Sequence, residues 1–229
     1  SFTGGEPFVV SNLVEACKEL VKKQYISLNT NLVTGDIHGF AEEIDPRTVI
    51  EMSASLHIKE LERRGLLDRY CENYTLLKAG NFPVVATQVA YPPLLPEIEY
   101  YRDYFDSRGV QVTFAPFEGA YDGRHYPDAY RSEEINSFGL DPSSFTAFKS
   151  KGRACNAGYN VGVVSPTGRI TSCFQMGETI GNIYDRVTFK DTLTTCSHDT
   201  CICPLYAYDP ALFEKALQTA SQNWGTGIP

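Results

Sequence analysis

The sequence predicts an α/β protein built on a parallel sheet, followed by a second, cysteine-rich unit. Three observations carry this. Short apolar segments of strand character alternate with segments of helical period as far as residue 118, the pattern of βα units. Beyond that point the alternation stops and short strands and turns replace it. Five of the seven cysteines, Cys155, Cys173, Cys196, Cys201 and Cys203, fall in the last third of the chain.

The elements follow in order. Asn12 with Glu15 three residues on has the form of a capping box. Leu13, Val14, Cys17, Leu20 and Val21 then recur at helical spacing, which makes Cys17 a small core hydrophobe on a buried stripe. Tyr25 to Asn29 forms a strand ending in Thr30 and Asn31, and Thr48 to Leu56 forms a second. A helix from Leu66 to Lys78 places Leu66, Leu67, Tyr70, Cys71, Tyr74 and Leu77 on one face, so Cys71 is also core. Residues 83–91 make a third strand, bounded by Pro92 and Pro93. The helix from Leu94 to Ser107 stops at Gly109, and residues 110–117 make the fourth strand.

Parallel strands joined through helices gather functional groups at their C-terminal ends. Gly4, Gly5, Glu6 and Pro7 fall there, as do Thr30, Asn31, Ser53, Ser55, His57 and Glu118. Of these, His57 and Glu118 are the candidates for catalysis. Residues 119–154 are aromatic and punctuated by glycine and proline, and read as a bridge between domains spanning 1–118 and 155–229. In the second domain a β-hairpin turns at Pro166, Thr167 and Gly168, and Asp209 before Pro210 starts a terminal helix.

Composition excludes several classes of partner. The 229 residues carry a formal charge of −8 and a pI of about 5.0, with no Lys/Arg-rich run. Nucleic acid and anionic membranes both require such cationic contacts. No apolar run approaches the ~20 residues of a bilayer helix, and no charged-then-apolar leader opens the chain. The expectation is a soluble, unprocessed protein. An odd number of cysteines crowded at one end fits ligation better than a disulfide framework, which points to the cytoplasm.

The hairpin brings Cys155 and Cys173 together, and Cys201 and Cys203 flank a single residue on a tight turn. With Cys196, five thiols compete for four places in a tetra-thiolate site, suited to an iron–sulfur cluster or to zinc. Zinc sites usually show paired C-x2-C knuckles, which this sequence lacks, so the cluster is preferred and zinc stands as the alternative.

The run from Cys155 through Gly168 to Cys173, followed by Gly181-Asn182-Ile183, resembles the C-terminal SPASM or twitch extension of radical SAM enzymes. The opening Gly4-Gly5-Glu6-Pro7 resembles the motif of that family at the end of the second barrel strand. The resemblance covers nearly the whole chain. It implies a partial (β/α)6-type barrel of parallel strands followed by a small SPASM-like domain. It assigns Gly4, Gly5, Glu6, Pro7, Asn31, Ser53 and Ser55 to S-adenosylmethionine. It assigns Cys155, Cys173, Cys196, Cys201 and Cys203 to an auxiliary 4Fe–4S cluster.

The activity implied is reductive cleavage of S-adenosylmethionine and abstraction of a substrate hydrogen. The substrate would be a peptide or small molecule, and the electron donor a protein such as flavodoxin or ferredoxin. One departure is large: the family's C-x3-C-x2-C loop, which precedes the glycine–glutamate motif, is absent. The chain is therefore expected to be a fragment that does not cleave S-adenosylmethionine alone. The other class of reading is a non-catalytic zinc- or cluster-binding scaffold or electron carrier.

Overall fold

A computed structural model describes residues 1–145, 148–175 and 177–201. These lie in two compact units, 1–145 and 148–201. The terminal helix expected from Asp209 and the thiol of Cys203 lie outside the described residues.

The first unit begins with a 3-10 turn, Pro7–Val9, which leads into α1 (Leu13–Leu20). Asn12 is the N-cap residue of α1, but its side chain makes no cap hydrogen bond, so the capping box does not form. Strand β1 (Ile26–Thr30) follows, then α2 (Ile37–Glu43), β2 (Val49–Ser55), α3 (Ile58–Arg63), α4 (Leu67–Ala79), β3 (Val84–Val89), α5 (Ile98–Asp106) and β4 (Val112–Ala115). The four strands form one parallel sheet in the order β1-β2-β3-β4, as the alternation predicts. Phe2 adds a parallel bridge to Leu28, its N–H donating to Ser27 and its carbonyl accepting from Asn29.

Two short helices depart from the sequence reading. Helix α2 contains Gly39, which costs about 1 kcal/mol in a helix interior. It forms because Asp36 caps Gly39 N–H at 2.8 Å and because Ile37 and Phe40 are buried. Helix α3 buries Ile58 and Leu61. The helix expected from Leu94 begins at Ile98, after a 3-10 turn, Pro92–Glu97, whose prolines supply no N–H for α-helical pairing.

One face of the sheet is the core. Ile26, Leu28, Met52, Ala54, Val84 and Ala86 are buried together with residues of α1 to α5, Cys17 and Cys71 among them. Burial pushes both thiols up to about 11, as expected of core cysteines. On the opposite face, register aligns Asn29 with Ser53 and Val85, and Ser55 with Thr87 and Thr113. That face is partly open, with Val85 and Val89 at 40% and 42% exposure.

Residues 119–145 are more ordered than the bridge the sequence suggests. They hold a hairpin of β5 (Gly119–Tyr121) and β6 (Arg124–Tyr126), then α6 (Ser132–Phe138). Their aromatic side chains, joined by Phe117 at the end of the preceding segment, form a chain of ring contacts: Phe117 with Tyr126, Tyr126 with Tyr130, and Tyr130 with Phe138 and Phe145.

The second unit pairs β7 (Phe148–Lys149) with β13 (Thr200–Cys201), and β8 (Ala154–Cys155) with β12 (Thr194–Thr195). Between them, β9 (Val163–Val164), β10 (Arg169–Thr171) and β11 (Thr179–Asn182) form an antiparallel sheet. The β9–β10 hairpin turns where expected, with Gly168 N–H donating to Ser165.

The tie between α4 and the sheet is directly testable. Tyr70, fully buried, donates its hydroxyl to the Ala54 carbonyl at 2.9 Å. Tyr70→Phe is expected to cost about 1–2 kcal/mol in urea unfolding.

Candidate functional site

The parallel order places the ends of β1 to β4 along one edge of the sheet. Because Phe2 runs alongside β1, the following Gly4-Gly5-Glu6-Pro7 loop reaches that same edge. Gly4 has φ +106°, a conformation natural to glycine, and a Cβ added at either glycine would meet nothing within 4 Å. The loop backbone is thus open to a ligand.

Glu6 is the centre of this edge. Its Oε1 accepts from Phe8 N–H at 3.1 Å and from the Thr30 hydroxyl at 2.9 Å, and its Oε2 accepts from Asn31 N–H at 2.6 Å. Two of these donors lie at the end of β1, so the carboxylate joins the opening loop to the strand. A carboxylate offers about four acceptor positions, so Oε2 retains room for one further donor. Pro7 occupies the first position of the 3-10 turn, where it needs no N–H partner. Gly35 closes against this turn: with φ +69°, its missing Cβ would stand 2.2 Å from the Phe8 carbonyl oxygen.

Asn31 reaches Glu6 through its backbone. Its side chain is committed locally, accepting from Val33 and Thr34 N–H at 3.0 and 3.1 Å and donating to the Thr34 hydroxyl at 3.1 Å. Ser53 and Ser55 lie on the open face of the sheet. Neither makes a side-chain hydrogen bond among the described residues, and neither is joined to Glu6. His57 is exposed at the N-cap of α3, and its carbonyl accepts from Glu60 and Leu61. Glu118 is exposed beyond β4. The structure brings Gly4, Gly5, Glu6, Pro7 and Asn31 together, and leaves the serines, His57 and Glu118 along the same edge without mutual contact.

Three residues that sequence reasoning did not single out hold this edge in shape. Gln88, buried, accepts from Ile58 N–H at 3.0 Å and fixes the start of α3. Tyr130 donates its hydroxyl to the Ala90 carbonyl and accepts from Phe117 N–H at 2.9 Å, linking the ends of β3 and β4. Asn73, buried on α4, donates to the Leu32 carbonyl at 2.6 Å. The available signal was a polar residue at an apolar-periodic position, as with Asn73 between Tyr70 and Leu77.

In the second unit, Cys155, Cys173 and Cys201 pack about Ala157. Burial raises the Cys155 thiol above its ordinary value, an Ala157 N–H hydrogen bond opposes this, and the charges of Cys196, Cys201 and Cys173 add to the rise. Cys155, Cys173 and Cys201 share one cluster, and the β8–β12 pairing sets Thr194 and Thr195, just before Cys196, against Cys155 and Ala154, so four of the five candidate thiols fall in one neighbourhood. Among the described residues no group of three His, Cys, Asp or Glu is close enough to hold a metal ion. The two facts agree, because Coulombic influence reaches well beyond a metal–sulfur bond of about 2.3 Å. The thiols are gathered without forming a closed cage. Cys196 donates its thiol to the His198 carbonyl at 3.8 Å.

The chemistry of the donor set fits a soft, thiolate-bound metal or cluster. Ser172 adds a second observation: it is fully buried beside Cys173, and its hydroxyl has no partner among the described residues. Such a group costs about 1–3 kcal/mol unless an acceptor arrives.

The glycine motif beside this cluster has a steric cause. Ile183 N–H donates to the Gly168 carbonyl at 2.9 Å, and a Cβ at Gly168 would come within 2.6 Å of the Tyr184 ring. Gly181 has φ +148°, and its Cβ would stand 2.1 Å from the Arg186 carbonyl oxygen.

Comparison with solved structures finds a likeness to native anSMEcpe with bound AdoMet and Kp18Cys peptide. The TM-score is 0.53 at 16% sequence identity, covering 81% of this chain and 64% of that one. This chain thus spans less than two thirds of that protein's length, and the likeness is one of fold. No protein-family model matches, and no curated protein matches. Among the described residues no helix is long and apolar enough to cross a membrane.

Gly181→Ala is expected to destabilise the second unit by about 2–4 kcal/mol, from a strained φ and a backbone clash together. Hydrogen exchange should show faster exchange of amides in 168–187, with β1 to β4 unchanged. Unchanged protection in 168–187 would remove the steric account of the motif.

Proposed function

We propose that this chain is part of a radical SAM enzyme of the SPASM or twitch type, whose complete form acts on a peptide. The observation that carries the reading is the Glu6 carboxylate. It is held by Phe8, Thr30 and Asn31 at the C-terminal edge of a parallel sheet, with an acceptor position left on Oε2 and an open glycine backbone beside it. An ammonium group matches that position, since it donates to a carboxylate by a charge-assisted hydrogen bond. The amino-acid end of S-adenosylmethionine carries such a group. The fold supports the same reading, because the solved structure that shares it holds AdoMet and a peptide.

On this reading Gly4 and Gly5 let the ligand approach the backbone, Glu6 orients its amino group, and Ser53 and Ser55 offer hydroxyls on the open sheet face. His57 and Glu118 stand at the same edge as candidates for contact with substrate. Cys155, Cys173, Cys196 and Cys201 would hold an auxiliary 4Fe–4S cluster, with Cys203 as a further candidate, and the buried Ser172 hydroxyl beside Cys173 would be available to it as a donor. When bound, S-adenosylmethionine and its cluster supply the radical chemistry, while the protein supplies position and excludes water. A flavodoxin- or ferredoxin-like donor and a cytoplasmic setting belong to this proposal. So does the division of labour between a partial barrel, 1–118, and a cluster domain from Cys155 onward.

A second reading is favoured by the donor set itself: four gathered thiols also suit structural zinc. Iron, acid-labile sulfide and zinc, measured on protein purified without oxygen, separate the two. The cluster reading expects iron and sulfide in equal amounts, about four of each per chain. About one zinc per chain with little sulfide would replace it.

Equilibrium dialysis with radiolabelled S-adenosylmethionine tests the first site. Glu6→Gln is expected to weaken binding about tenfold or more, as for a lost hydrogen bond between charged groups. Equal binding by the variant and the wild type would overturn the assignment.

A further inference from the structure

Leu32 is held in a conformation that a leucine ordinarily avoids. Its φ is +58°, in the left-handed region, and its side chain is fully buried. For a non-glycine residue this conformation costs about 1–2 kcal/mol and persists only where the surroundings enforce it. Two hydrogen bonds do so. Leu32 N–H donates to the Thr30 hydroxyl oxygen at 3.1 Å, and the Leu32 carbonyl accepts from the Asn73 side-chain amide at 2.6 Å.

The Thr30 hydroxyl that receives the Leu32 N–H is the same group that donates to Glu6 Oε1 at 2.9 Å. Asn31, directly before Leu32, supplies the N–H that meets Glu6 Oε2. An unbroken chain of contacts therefore runs from α4, through the strained residue, to both oxygens of the carboxylate. Asn73 does not touch Glu6. It holds the backbone turn whose two donors aim that carboxylate.

We propose that Asn73 is a positioning residue for the amino-acid pocket of S-adenosylmethionine, acting on Glu6 through Leu32 and Thr30. The inference rests on the reading of Glu6 given above. Without the Asn73 amide, the Leu32 carbonyl loses its partner, and of the two hydrogen bonds only that of its N–H to Thr30 is left to hold the left-handed φ. The 30–32 backbone then relaxes, Asn31 N–H turns from Oε2, and the carboxylate loses its fixed direction. The adenosine end of the ligand is not held by this chain of bonds, so its recognition should survive.

That asymmetry supplies the test. The full chain and its Asn73→Asp and Asn73→Ser variants are titrated with S-adenosylmethionine and with 5′-deoxy-5′-methylthioadenosine, which lacks the amino-acid group. Asn73→Asp keeps the size of the side chain and removes the amide donor, while Asn73→Ser keeps a short donor that falls away from Leu32. The expected result is a loss of about tenfold in affinity for S-adenosylmethionine, with methylthioadenosine binding unchanged within twofold, in variants whose circular dichroism matches the wild type. Equal weakening for both ligands, or failure of both variants to fold, would make Asn73 merely structural and overturn the inference. Unchanged affinity for both ligands in folded variants would also overturn it. A wild-type chain that binds methylthioadenosine and S-adenosylmethionine equally well would instead remove the role of Glu6, and a wild type that binds neither would remove the proposed function itself.

Discussion

One carboxylate joins parts of the first unit that are far apart in sequence. Glu6 accepts from Phe8 in its own loop and from Thr30 and Asn31 at the end of β1, so the opening loop cannot move independently of the sheet. The same turn is clamped from two other directions. Gly35 fits against the Phe8 carbonyl because it has no Cβ, and Asn73 on α4 holds the Leu32 carbonyl. A carboxylate buried in part and left without these donors would be costly. With them it becomes a rigid acceptor with one position to spare. Rigidity here is useful for the proposed function, since a group that orients a ligand works only if its own direction is fixed.

The sheet that carries this edge is unusual in one respect. Purely parallel sheets are generally covered on both faces, yet among the described residues helices cover only one, and the other presents Ser53, Ser55, Thr87 and Thr113. A polar, partly open face suits a surface that lines a ligand space better than one that packs in a core. The edge and the open face meet at the ends of the strands, where Gln88 and Tyr130 hold the neighbouring backbone in place.

Among its described residues, the second unit is organised by close approach rather than by a large core. Its buried cluster among the described residues is Ala157 and Cys173, with Cys155, Val161 and Cys201 against it. Gly168 lets the β9–β10 hairpin lie against Asn182 and Tyr184, and Gly181 lets Arg186 and Val187 fold back onto β11; a side chain at either position would prevent the approach. So small an apolar cluster contributes little stability by itself. On the proposed reading, ligation by the gathered thiols supplies the remainder, since the free energy of metal binding is then folding free energy. The unpartnered Ser172 hydroxyl is consistent with a site that gains an acceptor when filled.

Much of this was legible in the chain alone. Short apolar segments alternating with segments of helical spacing located the four strands of the parallel sheet and the helices that bury Cys17 and Cys71, because burial of one helix face imposes that spacing whatever the rest of the molecule does. Gly168 was readable as the turn of a hairpin and Gly181 only through the family resemblance; the positive φ and close contacts that demand glycine at both positions came from the structure. Helix α2 was not, because Gly39 weakens its local propensity and only the burial of Ile37 and Phe40 compensates. Nor was the hairpin and helix of residues 119–145, whose order comes from ring contacts between Phe117, Tyr126, Tyr130 and Phe138. Sequence spacing determined which residues reach the edge of the sheet. Only the tertiary structure decided that Glu6 is held by Thr30 and Asn31, and their turn by Asn73, because those hydrogen bonds join segments whose separation no local pattern encodes.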